Sequence, residues 1–193
     1  MKILFKFLAI ILFLNNFNHL SNASKKNYAE IERVIEGHTD FVFHLTVLPN
    51  GLLASGSEDN TTKIWNPRDG SLIRTLVGHT GGVYSLAALP NGYLATGSWD
   101  ESIKIWNLED GSLIRTLTGH TDTVISLLVL PDGNLASGSG DRTIRIWNPN
   151  DGSLIRTLSG HESIVYSLVI LPNGQLASGS GDKTVRIWNL EDG

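Results

Sequence analysis

The feature that most constrains this chain is a repeat of constant length. Gly-His recurs at Gly37-His38, Gly78-His79, Gly119-His120 and Gly160-His161, each 41 residues after the last. Trp-Asn keeps the same step at Trp65-Asn66, Trp106-Asn107, Trp147-Asn148 and Trp188-Asn189. Four copies without an insertion or deletion describe one structural unit stacked four times. The copies run 30–70, 71–111, 112–152 and 153–193.

One copy, 71–111, shows what the unit is. Residues 71–76 alternate and are rich in β-formers, so a strand is predicted there. Glycines break it, and residues 83–89 form a second strand, more continuously apolar and so more buried. Pro90-Asn91-Gly92 is a turn, because proline presets φ and Asn-Gly tolerates positive φ. Residues 93–98 form a third strand, Trp99-Asp100-Glu101 turns the chain, and residues 102–106 form a fourth. The expected fold class is all-β, built from four-stranded antiparallel sheets. One such sheet cannot bury both faces alone; radial stacking of sheets does so, which is the propeller solution.

Composition narrows the function classes. Hydrophobic content of 41% and charged content of 18% suit a packed core. A net charge of −4 argues against nucleic acid as a partner. The absence of cysteine excludes disulfides, thiolate metal sites and a cysteine nucleophile. Histidines 41 residues apart lack metal-site spacing, so no metal or other cofactor is expected. His44 is an extra histidine where the other copies have Ser85, Ser126 and Ser167, and it is expected to be a satisfied polar strand residue.

Each copy carries the same set: Gly-His, then Leu-Pro-Asn/Asp-Gly, then Leu-Ala-Ser/Thr-Gly-Ser-x-Asp, then Ile-Trp-Asn. This pattern resembles the WD40 repeat family, with asparagine in place of the usual aspartate of Trp-Asp. The resemblance implies WD40-type propeller blades and a structural tetrad in each. The sets are His38, Ser55, Asp59 and Trp65; His79, Thr96, Asp100 and Trp106; His120, Ser137, Asp141 and Trp147; and His161, Ser178, Asp182 and Trp188. A buried imidazole and a buried indole N–H need partners, and hydroxyl and carboxylate supply them. Ser/Thr, His and Asp also make up a hydrolase triad. Four equivalent copies, with no Gly-x-Ser-x-Gly elbow, argue for framework instead, so no catalytic residue is assigned.

Specificity is expected where the copies differ. One free position precedes the turn aspartate: Glu58, Trp99, Gly140, Gly181. Another reads Phe41, Gly82, Thr123, Ile164, and two residues later come Phe43, Tyr84, Ile125 and Tyr166. By the resemblance these ring the top opening and touch partners. Trp99, Phe41, Phe43, Tyr84, Tyr166 and Glu58 are therefore the expected partner-binding residues. The function expected is a non-catalytic protein- or peptide-binding scaffold. The alternative is a secreted lectin-like or hydrolase propeller. A lectin needs an aromatic repeated in every blade, and a hydrolase needs a unique polar cluster; neither is visible.

The N-terminus does not fit the repeat. Met1-Lys2, an apolar stretch from Ile3 to Leu14 broken by Lys6, and Ser21-Asn22-Ala23 read as a signal peptide over 1–23. Residues 24–29 then form a linker to the repeat domain, 30–193. The apolar stretch is shorter than the roughly 17–25 residues of a membrane span; an uncleaved anchor is the competing reading. A secreted or extracytoplasmic protein is expected, with no stable membrane insertion after cleavage; otherwise the location is cytoplasmic, as is usual for the family.

Four blades raise a closure problem. Residues 30–36 are expected to form an outer strand with no preceding partner, and the last copy lacks an outer strand. The ring is then an open arc, a homodimer that closes a larger ring, or part of a longer propeller.

Overall fold

The computed structural model describes residues 31–190 of the chain. The expected signal peptide (1–23) and linker (24–29) lie outside the described residues. The repeat becomes four antiparallel sheets. The first holds β1 (Val42–Val47), β2 (Leu53–Ser57), β3 (Thr61–Trp65) and β4 (Leu72–Val77), paired in that order. The second holds β5 (Val83–Ala88), β6 (Tyr93–Ser98), β7 (Ile103–Asn107) and β8 (Leu113–Leu117). The third holds β9 (Val124–Val129), β10 (Leu135–Ser139), β11 (Ile144–Trp147) and β12 (Leu154–Leu158). The fourth has only β13 (Val165–Ile170), β14 (Leu176–Ser180) and β15 (Val185–Trp188).

The outer strand of each blade thus comes from the following sequence copy. Residues 72–77 pair with β3 of the blade before, not with β5. This shift leaves the fourth blade one strand short. It also leaves residues 31–36 without a sheet, and the outer strand expected there is absent. A strand needs a ladder, and among the described residues no strand pairs with this segment. The segment nevertheless holds its place. Arg33 donates from both guanidinium nitrogens to the Arg68 and Asp69 carbonyls. Arg74 on β4 does the same to the Glu109 and Asp110 carbonyls of the next blade.

The core lies between the blades. Leu48, Ala54 and Ile64 of the first blade pack with Val83, Leu86 and Trp106 of the second. Similar layers recur at the next two interfaces, with Leu89, Ala95 and Ile105 facing Val124, Leu135 and Trp147, then Leu130, Ala136 and Ile146 facing Val165, Leu168 and Leu176. Glycine makes the contact close. A Cβ at Gly56 would lie 2.9 Å from Val83 Cγ1, at Gly97 2.7 Å from Val124 Cγ1, and at Gly138 2.8 Å from Val165 Cγ1. The Gly-Ser pair in each middle strand therefore admits the valine that opens the next blade.

The asparagine of Trp-Asn has a local cause. Its Oδ1 accepts the N–H two residues on, at Arg68, Glu109 and Asn150. In the first and third blades its amide also donates to an aspartate, Asn66 to Asp69 and Asn148 to Asp151. An aspartate could accept the first bond but not donate the second.

Candidate functional site

The tetrads close in every blade as a directed chain of hydrogen bonds. In the second blade His79 Nδ1 lies 2.7 Å from Asp100 Oδ2, and His79 Nε2 lies 2.7 Å from Thr96 Oγ1. The Trp106 indole N–H donates to that same hydroxyl at 2.9 Å. An aspartate only accepts and an indole only donates, so one direction satisfies all four groups: Trp106 to Thr96, Thr96 to His79, His79 to Asp100. His38, His120 and His161 repeat the geometry at 2.6–2.7 Å.

The electrostatics fit a neutral imidazole on an ionised carboxylate. Burial holds the His79 pKa below its ordinary value, although Asp100 opposes this. Burial would raise the Asp100 pKa, but bonds from the Ser102 hydroxyl, the Thr80 N–H and His79 together outweigh it and bring it to about 2. Asp59 and Asp141 sit well below the carboxylate range for the same balance of reasons. In Asp182 the Thr184 hydroxyl is the largest cause, and the shift is again downward.

These distances are also those of a Ser-His-Asp relay. Access decides against that chemistry here. Thr96 and Ser137 are fully buried, and each hydroxyl already receives an indole N–H. No substrate atom can approach them.

The variable positions come together differently. Glu58 N–H donates to the Phe41 carbonyl, Trp99 N–H to Gly82, Gly140 N–H to Thr123 and Gly181 N–H to Ile164. The two free positions in each copy are therefore one hydrogen-bonded pair on the rim of each blade. Phe41 is 75% exposed and Trp99 57%. Between the first two blades, Phe43 and Tyr84 stack with ring centroids 4.3 Å apart and planes at 12°. Tyr84 donates its hydroxyl to Glu58 Oε2 at 3.3 Å. Burial, then the Glu58 charge and hydrogen bond, hold the Tyr84 phenol above its ordinary pKa. Gly82 leaves the room, since a Cβ there would run into the Glu58 carboxylate.

Tyr166 stands apart. It lies over Gly181 within the fourth blade and makes no ring contact with Phe43 or Tyr84. The repeat alignment grouped it with them by position, but a full blade intervenes. His44 corrects a second expectation. Its Nδ1 is buried without a hydrogen-bond partner, and the Ser85 hydroxyl at the equivalent position is unpartnered too. A Cβ at Gly97 would meet both the Ser85 hydroxyl and Val124, so the position lies on the face that packs against the next blade. Burial accordingly lowers the His44 pKa.

Comparison with known proteins agrees with this geometry. The family model "WD domain, G-beta repeat" matches residues 29–66, 70–107, 111–148 and 152–189. The crystal structure of the WD40 beta propeller domain of Doa1 is similar, with a TM-score of 0.76 and 30% identity over 82% of this chain. The chain spans 54% of that structure's length. No match was found among curated protein sequences. Four blades, four closed tetrads and four matched repeats place the chain in the WD40 repeat family.

Proposed function

We propose that this chain is a non-catalytic interaction module that binds a protein segment at the rim of its first two blades. The observation that carries this is the Phe43–Tyr84 stack beside the Glu58 carboxylate, flanked by exposed Phe41 and Trp99. Aromatic side chains give large contact area at low entropic cost, and they dominate interface energetics. A carboxylate next to aromatic faces suits a cation. The fitting ligand is a peptide that carries lysine or arginine beside apolar residues. No cofactor is needed for such binding. Secretion, with cleavage after Ala23, belongs to the same proposal, and N-terminal sequencing of the mature protein tests it.

Panning a displayed random-peptide library tests the binding reading. Selected peptides should be enriched in basic and apolar residues. Trp99→Ala should weaken them about tenfold, or ~1.4 kcal/mol, with the unfolding midpoint unchanged. Equal binding by the variant, or loss of stability in place of binding, would remove Trp99 from the site.

A further inference from the structure

We infer that the two open ends of this arc are halves of one interface, and that a second copy of this chain fills both. The inference goes beyond peptide binding and uses different residues. The residues at the leading face of the first blade are the same as at every internal leading face. Val42 and Leu45 stand where the next blade has Val83 and Leu86. Val83 is fully buried, whereas Val42 is 50% exposed and Leu45 57%. The trailing face of the fourth blade likewise repeats the internal trailing faces. Ala177, Gly179 and Ile187 stand where the first blade has Ala54, Gly56 and Ile64.

Gly179 is the sharpest marker. Its three counterparts each receive a valine within 2.9 Å, and among the described residues nothing lies within 4 Å of a Cβ at Gly179. Among the described residues the first blade presents a valine with no glycine to receive it. The fourth presents a glycine with no valine. Each internal interface shows how the two fit, so the occupant each end calls for is a blade of this same type.

The missing strand agrees. β15 has no outer neighbour among the described residues. The Arg33 segment is held against the first blade just as Arg74 holds β4 against the second. Internally Ile64 pairs with Arg74, Ile105 with Arg115 and Ile146 with Arg156. The same register puts the second copy's Arg33 opposite Ile187. The exposed β15 edge would gain a strand, and the Arg33 segment a ladder. Each copy has one end of each kind, so two copies close on themselves through two identical contacts. Eight blades then form, inside the ~4–8 typical of propellers, whereas three copies would exceed it.

Sedimentation velocity of the full chain at micromolar concentration tests this, with Gly179→Leu as the discriminating variant. In a single chain Gly179→Leu meets open space, so its circular dichroism should match wild type. At the interface the new side chain would occupy the place of the second copy's Val42. Wild type should sediment as a dimer and Gly179→Leu as a folded monomer. A wild-type monomer overturns the proposal. So does a dimer that survives Gly179→Leu, which would reflect another surface such as the N-terminal segment. A species heavier than two copies overturns closure at two.

Discussion

Val42 and Val124 occupy one position of the repeat, yet Val124 is fully buried and Val42 is half exposed. The local sequences around them are nearly the same, and both open an inner strand. The difference comes wholly from the neighbour. Val124 inserts over Gly97 of the blade before it, and among the described residues no glycine receives Val42 in the same way. In a stacked repeat, stability resides in interfaces between units more than in the units, so equal residues contribute unequally. The ends of the arc are the same structure with half the burial.

Substitutions in the monomeric Gly179→Leu background would break this comparison if it is wrong. The largest contrast is expected in the apolar layer. Leu135 is fully buried against the second blade, while Leu53 at the same position is only partly buried. Leu135→Ala should cost about 2–5 kcal/mol by urea denaturation, and Leu53→Ala about 1 kcal/mol. Equal costs would mean that the first blade is covered after all. In wild-type protein at concentrations where copies pair, the gap should narrow.

The polar layer should show a smaller contrast. Ser137→Ala leaves the His120 Nε2 and the buried Trp147 indole without partners. Two orphaned groups at about 1–3 kcal/mol each set an upper range, and relaxation will reduce the sum. Ser178→Ala removes the same bonds, but Trp188 is only partly buried, so water can replace one of them. The cost in the fourth blade should be roughly half that in the third. Urea midpoints of the two variants, compared in the same background, check the ratio.

Acid should produce the smallest effect per group. The His79 and Asp100 pKa values are both lower in the folded chain than in the unfolded one. At acid pH the unfolded state therefore binds more protons, so stability is fully present above pH 6.5 and declines as pH falls. The first decline, below 6.5, belongs to His79 and His44, both held down by burial. A second belongs to the tetrad aspartates, beginning below the ordinary carboxylate value of 3.8 and running through the Asp100 value of about 2. For Asp100 the loss should be on the order of 1 kcal/mol, since its carboxylate is only partly screened from solvent. His79→Gln should shrink the upper step to the His44 contribution while keeping a lower one. Thermal melts from pH 7 down through the Asp100 value of about 2 would show a single flat line if neither group is linked to folding.

Much of the fold was legible because the repeat reports local structure four times over. Strand positions 93–98 and the Pro90-Asn91-Gly92 turn could be read from alternation and turn chemistry, and the structure places them there. The tetrad members could be aligned by position, since each bond lies within one copy. The rim was harder. The repeat grouped Phe43, Tyr84 and Tyr166 as equivalents, but equivalence is not proximity. Phe43 meets Tyr84 across an interface, and Glu58 reaches Tyr84 only because Gly82 lacks a side chain. No single copy contains that contact. The unpartnered His44 Nδ1 was illegible too, because burial without a partner is a property of packing and not of residue type.

The amino-acid sequence by itself determined the unit: its strands, its turns and the His, Ser/Thr, Asp and Trp that lock it. These depend on dihedral preference, side-chain alternation and bonds made inside one copy. Tertiary structure decided which equal residues differ. Among the described residues it left Val42 without a glycine and Gly179 without a valine, and it brought the aromatic pair to one rim. The physical reason is that burial belongs to pairs of surfaces. A repeat specifies both surfaces many times, and only the packed molecule shows which of them have met.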